Sequence, residues 1–269
     1  MPMQSVMKLV VAIAVLDAVD LGALRLDQPA TLYPRDVSVF VQPVSKLIGP
    51  GGYTTTIRDL IVRAVIDSDS TAVDALISRA GGPSAVQATL RRKGVRGVRF
   101  DRDERRLQTE IVGLSWRPSF ASPPVLDWAI RAVPAKVRDK AYRAYERDVR
   151  DTATARGMTD LLARLADGRL LSPSSTEFLL DTMTRTRTFP GRLRAGTPPG
   201  WRIGDKTGTS GTWRGVTAAT NDVGVLTSPF GEAVIVSAFL ANSPASHAAR
   251  DKILADVARI ATAPGPASP

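Results

Sequence analysis

The chain has 269 residues, of which 43% are hydrophobic and 23% are charged, and its formal net charge is +10. This composition is typical of a globular protein with a substantial core, and it excludes a disordered or collagen-like chain. The absence of cysteine excludes disulfides, zinc–thiolate sites, iron–sulfur clusters and thiol nucleophiles. The single histidine, His247, precedes a predicted helix, and we expect it to lie at the surface.

The positive charge does not form a pattern typical of nucleic-acid binding. Basic and acidic residues alternate in Asp101–Arg106, and the densest basic cluster, Arg91–Lys93, ends a predicted helix. A basic cluster at that position complements the helix dipole and stays solvated. No nucleic-acid-binding motif accompanies the charge, so we expect no nucleic-acid partner.

The N-terminal segment imitates a secretion signal, because one lysine precedes an apolar run from Leu9 to Leu16. The run is too short to span a bilayer. Asp17 and Asp20 follow it, and no convincing cleavage site is present. We therefore predict a buried helix that carries active-site residues, with no visible signal peptide and no membrane span.

Helical patterns dominate the first two-thirds of the chain. A capping box at Thr56–Asp59 precedes apolar residues at helical spacing. Further helices are predicted over Thr71–Arg79, around the apolar stripe from Met158 to Leu165, and from Ser172 to about Met183, where Ser-Pro forms the N-terminal boundary.

The last third is rich in short β-patterns. Strands are predicted at Gly200–Lys206, Asp222–Leu226 and Ala233–Ala241, followed by a helix at Ala248–Ile260. Within the third strand, Val234-Ile235-Val236 is apolar throughout, which indicates a strand covered on both faces. We expect a helical lobe at 1–184 and an α/β lobe at 185–269.

The segment 99–151 is too long for an unstructured connection within a compact protein. Apolar residues recur at helical spacing from Val125 to Val133 and again from Val137 to Tyr145. We predict a helical insertion within a loop.

Three short motifs carry residues suited to a serine nucleophile: Ser5-Val6-Met7-Lys8 (S-x-x-K), Ser68-Asp69-Ser70 (close to S-D-N) and Lys206-Thr207-Gly208 (K-T-G). Ser5 and Lys8 are three residues apart, so both side chains emerge on one helical face. A serine hydroxyl needs a base, and with no histidine nearby in the sequence a lysine or a carboxylate must act. Each motif alone also fits an ordinary helix pair, a turn or a strand end.

In this order and setting, the motifs resemble those of class A β-lactamases and penicillin-binding proteins. Pro2–Ser5 resembles the run before the family's nucleophile, and Arg99–Gln108 resembles the start of its Ω-loop. Arg150–Thr152 resembles the exit of that loop, and Thr220–Gly224 resembles the strand after K-T-G. The resemblance covers nearly the whole chain except about 114–147, so the Ω-loop is expanded.

The resemblance implies a serine hydrolase that opens the β-lactam ring through an acyl-enzyme on Ser5. Glu104 falls at the family's catalytic glutamate, which activates the water that releases the acyl group. Gln108 falls where the family usually carries an asparagine that helps to hold this water. Whether Lys8 or Glu104 is the base for acylation stays open.

Further roles follow from the same resemblance. Ser68 relays a proton to the lactam nitrogen, Lys206-Thr207-Gly208 binds the substrate carboxylate, and the N–H groups of Ser5 and Thr209 hold the oxyanion. The implied fold is a two-lobed α/β fold with an all-helical lobe and an antiparallel sheet flanked by helices. No metal or organic cofactor is implied. We expect a monomer with a small β-lactam substrate, in the periplasm or secreted.

The chain departs from the family pattern in four ways. Ser70 replaces an asparagine that contacts the substrate's acylamide. Thr220 stands where many relatives carry a carboxylate-binding arginine, and we assign that role to Arg192. In the expanded Ω-loop we expect Arg102 and Asp151 to pair across the neck. The sequence begins four residues before Ser5, without the family's preceding helix and two strands, so we expect an incomplete sheet.

Two rival functions remain. An acyl-serine enzyme of the same fold could act on peptidoglycan peptides or esters, and it would react with penicillin but release it slowly. A non-catalytic remnant or basic binding protein would neither react nor turn over.

Overall fold

The computed structural model describes residues 1–263 and confirms the predicted α/β class, with helices packed around an antiparallel sheet. The α-helices are α1 (Met7–Asp20), α2 (Ile57–Ile66), α3 (Ser70–Arg79), α4 (Pro83–Arg92), α5 (Glu104–Ile111), α6 (Pro123–Ala132), α7 (Ala135–Glu146), α8 (Ala155–Ala166), α9 (Pro173–Thr184), α10 (Leu193–Gly196) and α11 (His247–Ala261). The strands are β1 (Pro29–Leu32), β2 (Tyr53–Thr56), β3 (Arg202–Thr209), β4 (Thr212–Trp213), β5 (Val216–Thr227) and β6 (Ala233–Ser243).

Helix α1 lies in the middle of the main hydrophobic core. Every residue from Met7 to Asp17 is buried, as expected of a helix that is apolar around its circumference. At its C-terminal end, the buried Asp17 carboxylate pairs with Arg92 and, at 2.6 Å, with Lys93. The expectation that the Arg91–Lys93 cluster is only solvated is therefore wrong, because two of its residues neutralise a buried charge.

The main sheet has β5 at its centre, antiparallel to β3 on one side and to β6 on the other. The short strand β4 also pairs with β5, through Thr212 and Thr217. On β6, Val236 packs in a core with Leu254 of α11, whereas Ile235 packs against the core that contains α1. Adjacent strand residues point to opposite faces, so this strand is covered on both faces, as predicted.

The helix boundaries follow the predicted caps with one difference. Ser172 Oγ accepts from Ser175 N at 3.3 Å, and Thr56 Oγ1 accepts from Asp59 N at 3.2 Å. The Asp59 carboxylate does not return to the Thr56 backbone. It accepts instead from Thr55 Oγ1 and Arg63 Nε, each at 2.6 Å, so only half of the predicted capping box forms.

The segment predicted as a helical insertion contains α6 and α7, preceded by a 3₁₀ turn at Pro118–Ala121. The apolar face that includes Trp128 does not enter the core, and Trp128 is 72% exposed. Leu126 is the buried residue of α6, in a small cluster with Val39 and Phe120. His247 is exposed, as predicted.

No helix within residues 1–263 combines the length and the apolar character that a membrane crossing requires. Strands β1 and β2, which the sequence patterns did not indicate, pair antiparallel from Pro29 opposite Thr56 to Leu32 opposite Tyr53.

Candidate active site

The nucleophile turn places Ser5 at the start of α1. Residues Gln4–Val6 form one turn of 3₁₀-helix that continues directly into the α-helix. Gln4 has a φ of 50°, in the left-handed region that costs a non-glycine residue ~1–3 kcal/mol and is typical of functional sites. The buried Lys8 Nζ donates to Ser5 Oγ at 3.1 Å, as the S-x-x-K spacing predicts.

Lys8 is the centre of a buried polar network. Its Nζ lies 2.8 Å from Glu104 Oε1, and both side chains are 1% exposed. It also donates to the Ser68 carbonyl oxygen at 2.7 Å and lies 3.3 Å from the hydroxyls of Ser68 and Ser70. The fold therefore brings Ser5, Lys8, Ser70 and Glu104 together with Ser68, although the three segments that carry these residues are far apart in the sequence.

The Ser68-Asp69-Ser70 turn is held by its aspartate. Asp69 caps α3, with Oδ1 accepting from Ala72 N at 2.8 Å and Oδ2 accepting from Val44 N at 2.7 Å. Burial raises the pKa of Asp69, and these hydrogen bonds oppose that rise. With the turn fixed, Ser68, at a φ of 58°, directs its hydroxyl toward the two lysines of the site.

Lys206 is the second buried lysine. Its Nζ donates to Ser68 Oγ at 3.1 Å, so this hydroxyl lies between Lys206 and Lys8. Burial, together with the charge of Lys8, lowers the pKa of Lys206 to about 7. Lys206 therefore titrates near neutral pH.

Gly208 brings the K-T-G strand against the nucleophile turn. A Cβ at Gly208 would lie 2.5 Å from the Met3 carbonyl oxygen and 3.2 Å from Ser5 N. The Asn221 side chain on β5 fastens the same turn by donating to Pro2 O at 2.8 Å and Met3 O at 3.1 Å. The close approach requires glycine, and it brings the end of β3 next to the serine.

Glu104 is the first residue of α5, and its side chain points into the network. Its Oε2 accepts from Gln108 Nε2 at 3.0 Å, and the same nitrogen donates to Gln4 Oε1 at 2.9 Å. The predicted pair Glu104 and Gln108 therefore shares one face of α5, linked to the residue that precedes Ser5.

Asp74, which the sequence analysis did not identify, holds the backbone of this glutamate. Asp74 Oδ1 accepts from Glu104 N at 2.8 Å, and Oδ2 accepts from Ser38 Oγ at 2.6 Å. Burial and the nearby Asp103 and Glu104 carboxylates raise the pKa of Asp74 to about 7. Its position four residues after Ser70, on the same face of α3, is the signal in the sequence that could have identified it.

Arg192 lies behind the K-T-G strand and is fully buried. Its guanidinium donates to Thr209 Oγ1 at 2.7 Å, to Asn221 O at 2.9 Å and to Asp251 Oδ1 at 2.8 Å. It thus supports the end of β3, and direct contact with a substrate carboxylate stays a prediction. The Thr207 hydroxyl lies 2.6 Å from that of Thr188.

The neck of the expanded loop closes as predicted. Arg102 Nε donates to Asp151 Oδ2 at 2.6 Å, and Asp151 Oδ1 accepts from the backbone N–H groups of Asp101 at 2.7 Å and Arg102 at 3.0 Å. Both charged side chains are buried. The pair fixes the chain just before Glu104.

Helix α7 of the insertion binds the hairpin that follows the K-T-G strand. The Tyr142 hydroxyl donates to Val216 O and accepts from Ala218 N, both at 2.8 Å. The Asp139 carboxylate accepts from Trp213 Nε1 at 2.7 Å and from Arg214 Nε at 2.6 Å. The insertion therefore connects the Ω-loop with the β4–β5 hairpin.

Comparisons with known sequences place this site in a family. The profile described as the β-lactamase enzyme family matches residues 1–263. The chain is 30% identical over 259 residues to β-lactamase VEB-1 of Pseudomonas aeruginosa, covering 96% of this chain and 76% of that protein. It is 32% identical over 261 residues to β-lactamase L2 of Stenotrophomonas maltophilia, covering 97% and 72% respectively.

Solved structures agree with the sequence comparisons. A β-lactamase from Chitinophaga pinensis superposes with a TM-score of 0.77 at 29% identity, covering 97% of this chain and 84% of that one. The reconstructed class A β-lactamase of the last common ancestor of Gram-negative bacteria superposes with a TM-score of 0.73 at 34% identity, covering 96% and 83%. The chain belongs to the β-lactamase enzyme family and has the fold of its class A members.

Proposed function

We propose that this serine hydrolase opens the β-lactam ring through an acyl-enzyme on Ser5 and releases the product with water activated by Glu104. One observation carries the proposal: Lys8 Nζ lies 3.1 Å from Ser5 Oγ and 2.8 Å from Glu104 Oε1 within a buried network. The nucleophile and the carboxylate that would serve as general base therefore share one neighbour that can carry a proton.

In acylation, Ser5 Oγ attacks the lactam carbonyl carbon and loses its proton to Lys8 or, through a water, to Glu104; both remain candidates. The N–H groups of Ser5 and Thr209 would hold the oxyanion, and losing one such donor typically costs about 3 kcal/mol. When the ring C–N bond breaks, the nitrogen takes a proton from Ser68, whose hydroxyl lies between the two lysines.

Substrate binding is assigned to the K-T-G strand. The Lys206 ammonium and the Thr207 hydroxyl would bind the substrate carboxylate, and Arg192 would support this wall through Thr209. Ser70 has a shorter side chain than the asparagine usual in the family, so we expect a weaker contact with the acylamide. The insertion would narrow the mouth of the cleft or favour another substrate within the class.

In deacylation, Glu104 removes a proton from the water that attacks the acyl carbon, and this proton passes to Ser5 Oγ as the ester bond to Ser5 breaks. General-base assistance of this kind typically contributes roughly 10²–10⁴-fold. Two contacts support the role: Gln108 donates to the Glu104 carboxylate, and Asp74 holds its backbone N–H.

Three broader expectations remain proposals. From membership of the family, we expect an exported, monomeric protein. We also retain the division into a helical lobe at 1–184 and an α/β lobe at 185–269.

Turnover of a chromogenic cephalosporin and intact mass after penicillin treatment test the proposal. Wild-type protein should turn over the cephalosporin, and Ser5→Ala should show neither turnover nor an adduct. A wild-type adduct that persists would support the rival peptidase or esterase. A folded wild-type protein that forms no adduct on Ser5 and shows no turnover would contradict the proposal and favour a non-catalytic binding protein.

A further inference from the structure

The insertion reaches the catalytic network through Tyr145 of α7. The Tyr145 hydroxyl accepts a hydrogen bond from Nε2 of Gln4, the residue immediately before the nucleophile. Tyr145 is 4% exposed and Gln4 is 1% exposed. A polar group left without a partner at such a depth is costly, so each of these side chains depends on the other.

The side-chain amides of Gln4 and Gln108 link Tyr145 to the Glu104 carboxylate. Gln4 Oε1 accepts from Gln108 Nε2 at 2.9 Å, and the same nitrogen donates to Glu104 Oε2 at 3.0 Å. A side-chain amide has a donor end and an acceptor end. Because the donor end of Gln4 faces Tyr145, its oxygen faces Gln108, and the donor end of Gln108 is therefore directed at both Gln4 and Glu104.

The Glu104 carboxylate can only accept, so it sets the direction of both amides, and the Tyr145 hydroxyl, which can donate or accept, holds the Gln4 end of this chain in place. A Gln4 amide turned by half a rotation would set its NH₂ group against the NH₂ group of Gln108. If Gln108 then turned to relieve that clash, its oxygen would face the Glu104 carboxylate, and two acceptors would repel. Without the Tyr145 hydroxyl, the buried Gln4 NH₂ group would lose this partner, and Gln4 would no longer be held where its oxygen anchors Gln108 beside Glu104.

We propose that Tyr145 is a positioning residue for deacylation, which holds in place, through two intervening amides, the donor that contacts Glu104. This inference rests on the proposed function and deepens it, because it assigns part of the insertion to the hydrolytic step. Burial raises the pKa of Tyr145, so its hydroxyl stays protonated and neutral.

The substitution Tyr145→Phe tests the proposal because it removes only the hydroxyl and keeps the ring. The centroid of this ring lies 6.5 Å from that of the Tyr142 ring. We expect deacylation to slow about tenfold, a fraction of a full general-base contribution, while acylation is unchanged. Slower deacylation lowers kcat and KM together and leaves kcat/KM unaltered. Intact mass should show the acyl-enzyme accumulating during turnover.

Tyr142→Phe is the matched control, because Tyr142 is buried on the same helix and its hydroxyl contacts the β4–β5 hairpin. Its deacylation rate constant should stay within about twofold of wild type, as expected for a change outside the network. If Tyr145→Phe only reduced the fraction of correctly folded protein, fewer active sites would be present. In that case kcat and kcat/KM would fall equally and KM would be unchanged. The burst amplitude of the chromogenic product counts those sites directly.

Two further variants keep the test decisive. If the hydroxyl acts through the amides, Tyr145→Phe should have no additional effect in a Gln108→Leu background, because the path is already broken. If Tyr145→Phe does not fold, Gln4→Met removes the amide that contacts Tyr145 and should show the same joint fall of kcat and KM.

Several results would overturn the inference while the wild type turns over normally. These are unchanged kcat and KM in Tyr145→Phe, a fall of kcat at constant KM, or an undiminished effect in the Gln108→Leu background. A wild-type protein that never acylates Ser5 would overturn the proposed function and this inference together.

Discussion

Gly208 lies against the backbone of Ser5, such that a Cβ at Gly208 would stand 3.2 Å from Ser5 N and 2.5 Å from the Met3 carbonyl oxygen. The K-T-G strand and the nucleophile turn come from opposite ends of the chain. Their contact sets the position of the Ser5 amide, which is one of the two proposed oxyanion donors.

The substitution Gly208→Ala should therefore impair acylation. The added methyl group must push the turn away, because the atoms that it meets are backbone atoms. We expect kcat/KM to fall by about 10²–10³-fold, the range seen when an oxyanion donor is lost. Stopped-flow acylation by a chromogenic cephalosporin would measure this fall.

Gly211→Ala is the matched control, because a Cβ there meets no atom within 4 Å. Its kcat/KM should stay within about twofold of wild type, as for an ordinary exposed position. If Gly208→Ala acylates as fast as Gly211→Ala, the contact does not position the amide.

Asp74→Asn should stabilise the protein at alkaline pH. The pKa of Asp74 is raised from 3.8 to about 7, so the folded state binds more protons than the unfolded state between these values. Stability is then lost as pH rises from about 4 to about 7. The amide keeps an acceptor for Glu104 N and has no charge to bury, so it should gain on the order of a few kcal/mol above pH 7.

Thermal unfolding between pH 4.5 and 8.5 would measure this effect. The Tm difference between Asp74→Asn and wild type should be small at the acidic end and largest at the alkaline end. The exposed Asp127→Asn should show no such trend. A variant that is destabilised equally at every pH would show that the carboxylate is ionised and well paired.

The pKa of Lys206 predicts how substrate capture depends on pH. Because burial and the charge of Lys8 lower this pKa to about 7, the ammonium loses its proton above neutral pH. For a β-lactam carboxylate, kcat/KM should then fall, approaching tenfold per pH unit above about 7. Lys206→Arg keeps its charge, so this alkaline limb should disappear even if overall efficiency is lower.

The comparison isolates Lys206 because Asp74 titrates in both proteins. An identical alkaline limb in wild type and Lys206→Arg would mean that Lys206 is not the group responsible.

Asp151→Ala should open the neck of the Ω-loop. Arg102 would keep its ion pairs with Glu110 and Asp148, but the backbone N–H groups of Asp101 and Arg102 would lose their acceptor, which typically costs about 1–3 kcal/mol. We expect that loss in urea unfolding, together with faster proteolysis between residues 99 and 151. The exposed pair of Arg25 and Asp27 provides the control, and Asp27→Ala should unfold like wild type. Equal stability of the two variants would contradict a fastening role for Asp151.

Much of the fold could be predicted because helix caps and apolar runs are local signals in the sequence. Helix α9 begins at its Ser-Pro boundary, and α1 is buried as its apolar run indicates. Strand β5 extends further than predicted, to Val216–Thr227, because pairing with β3 and β6 recruits polar residues such as Asn221. Strands β1 and β2 have four residues each, too few for a periodic signal.

The site residues likewise comprise some that local spacing predicts and others that depend on long-range contacts. Ser5 and Lys8 share a helix turn, so their contact follows from spacing. The roles of Asp74 and Tyr145 depend on long-range contacts, with Glu104 N and with Gln4, that no local pattern encodes. Arg192 was assigned from its distance to K-T-G, and only the fold places it behind Thr209.

The most direct measurement of the central claim is an intact-mass time course of Glu104→Ala after one addition of penicillin, with the modified peptide mapped. The account predicts a persistent adduct of about one drug per chain on Ser5, because the variant lacks the general base that typically accelerates deacylation by roughly 10²–10⁴-fold. Wild type and the exposed control Glu177→Ala should return to their unmodified mass within the same period. A Glu104→Ala protein that clears its adduct as fast as wild type would contradict that claim.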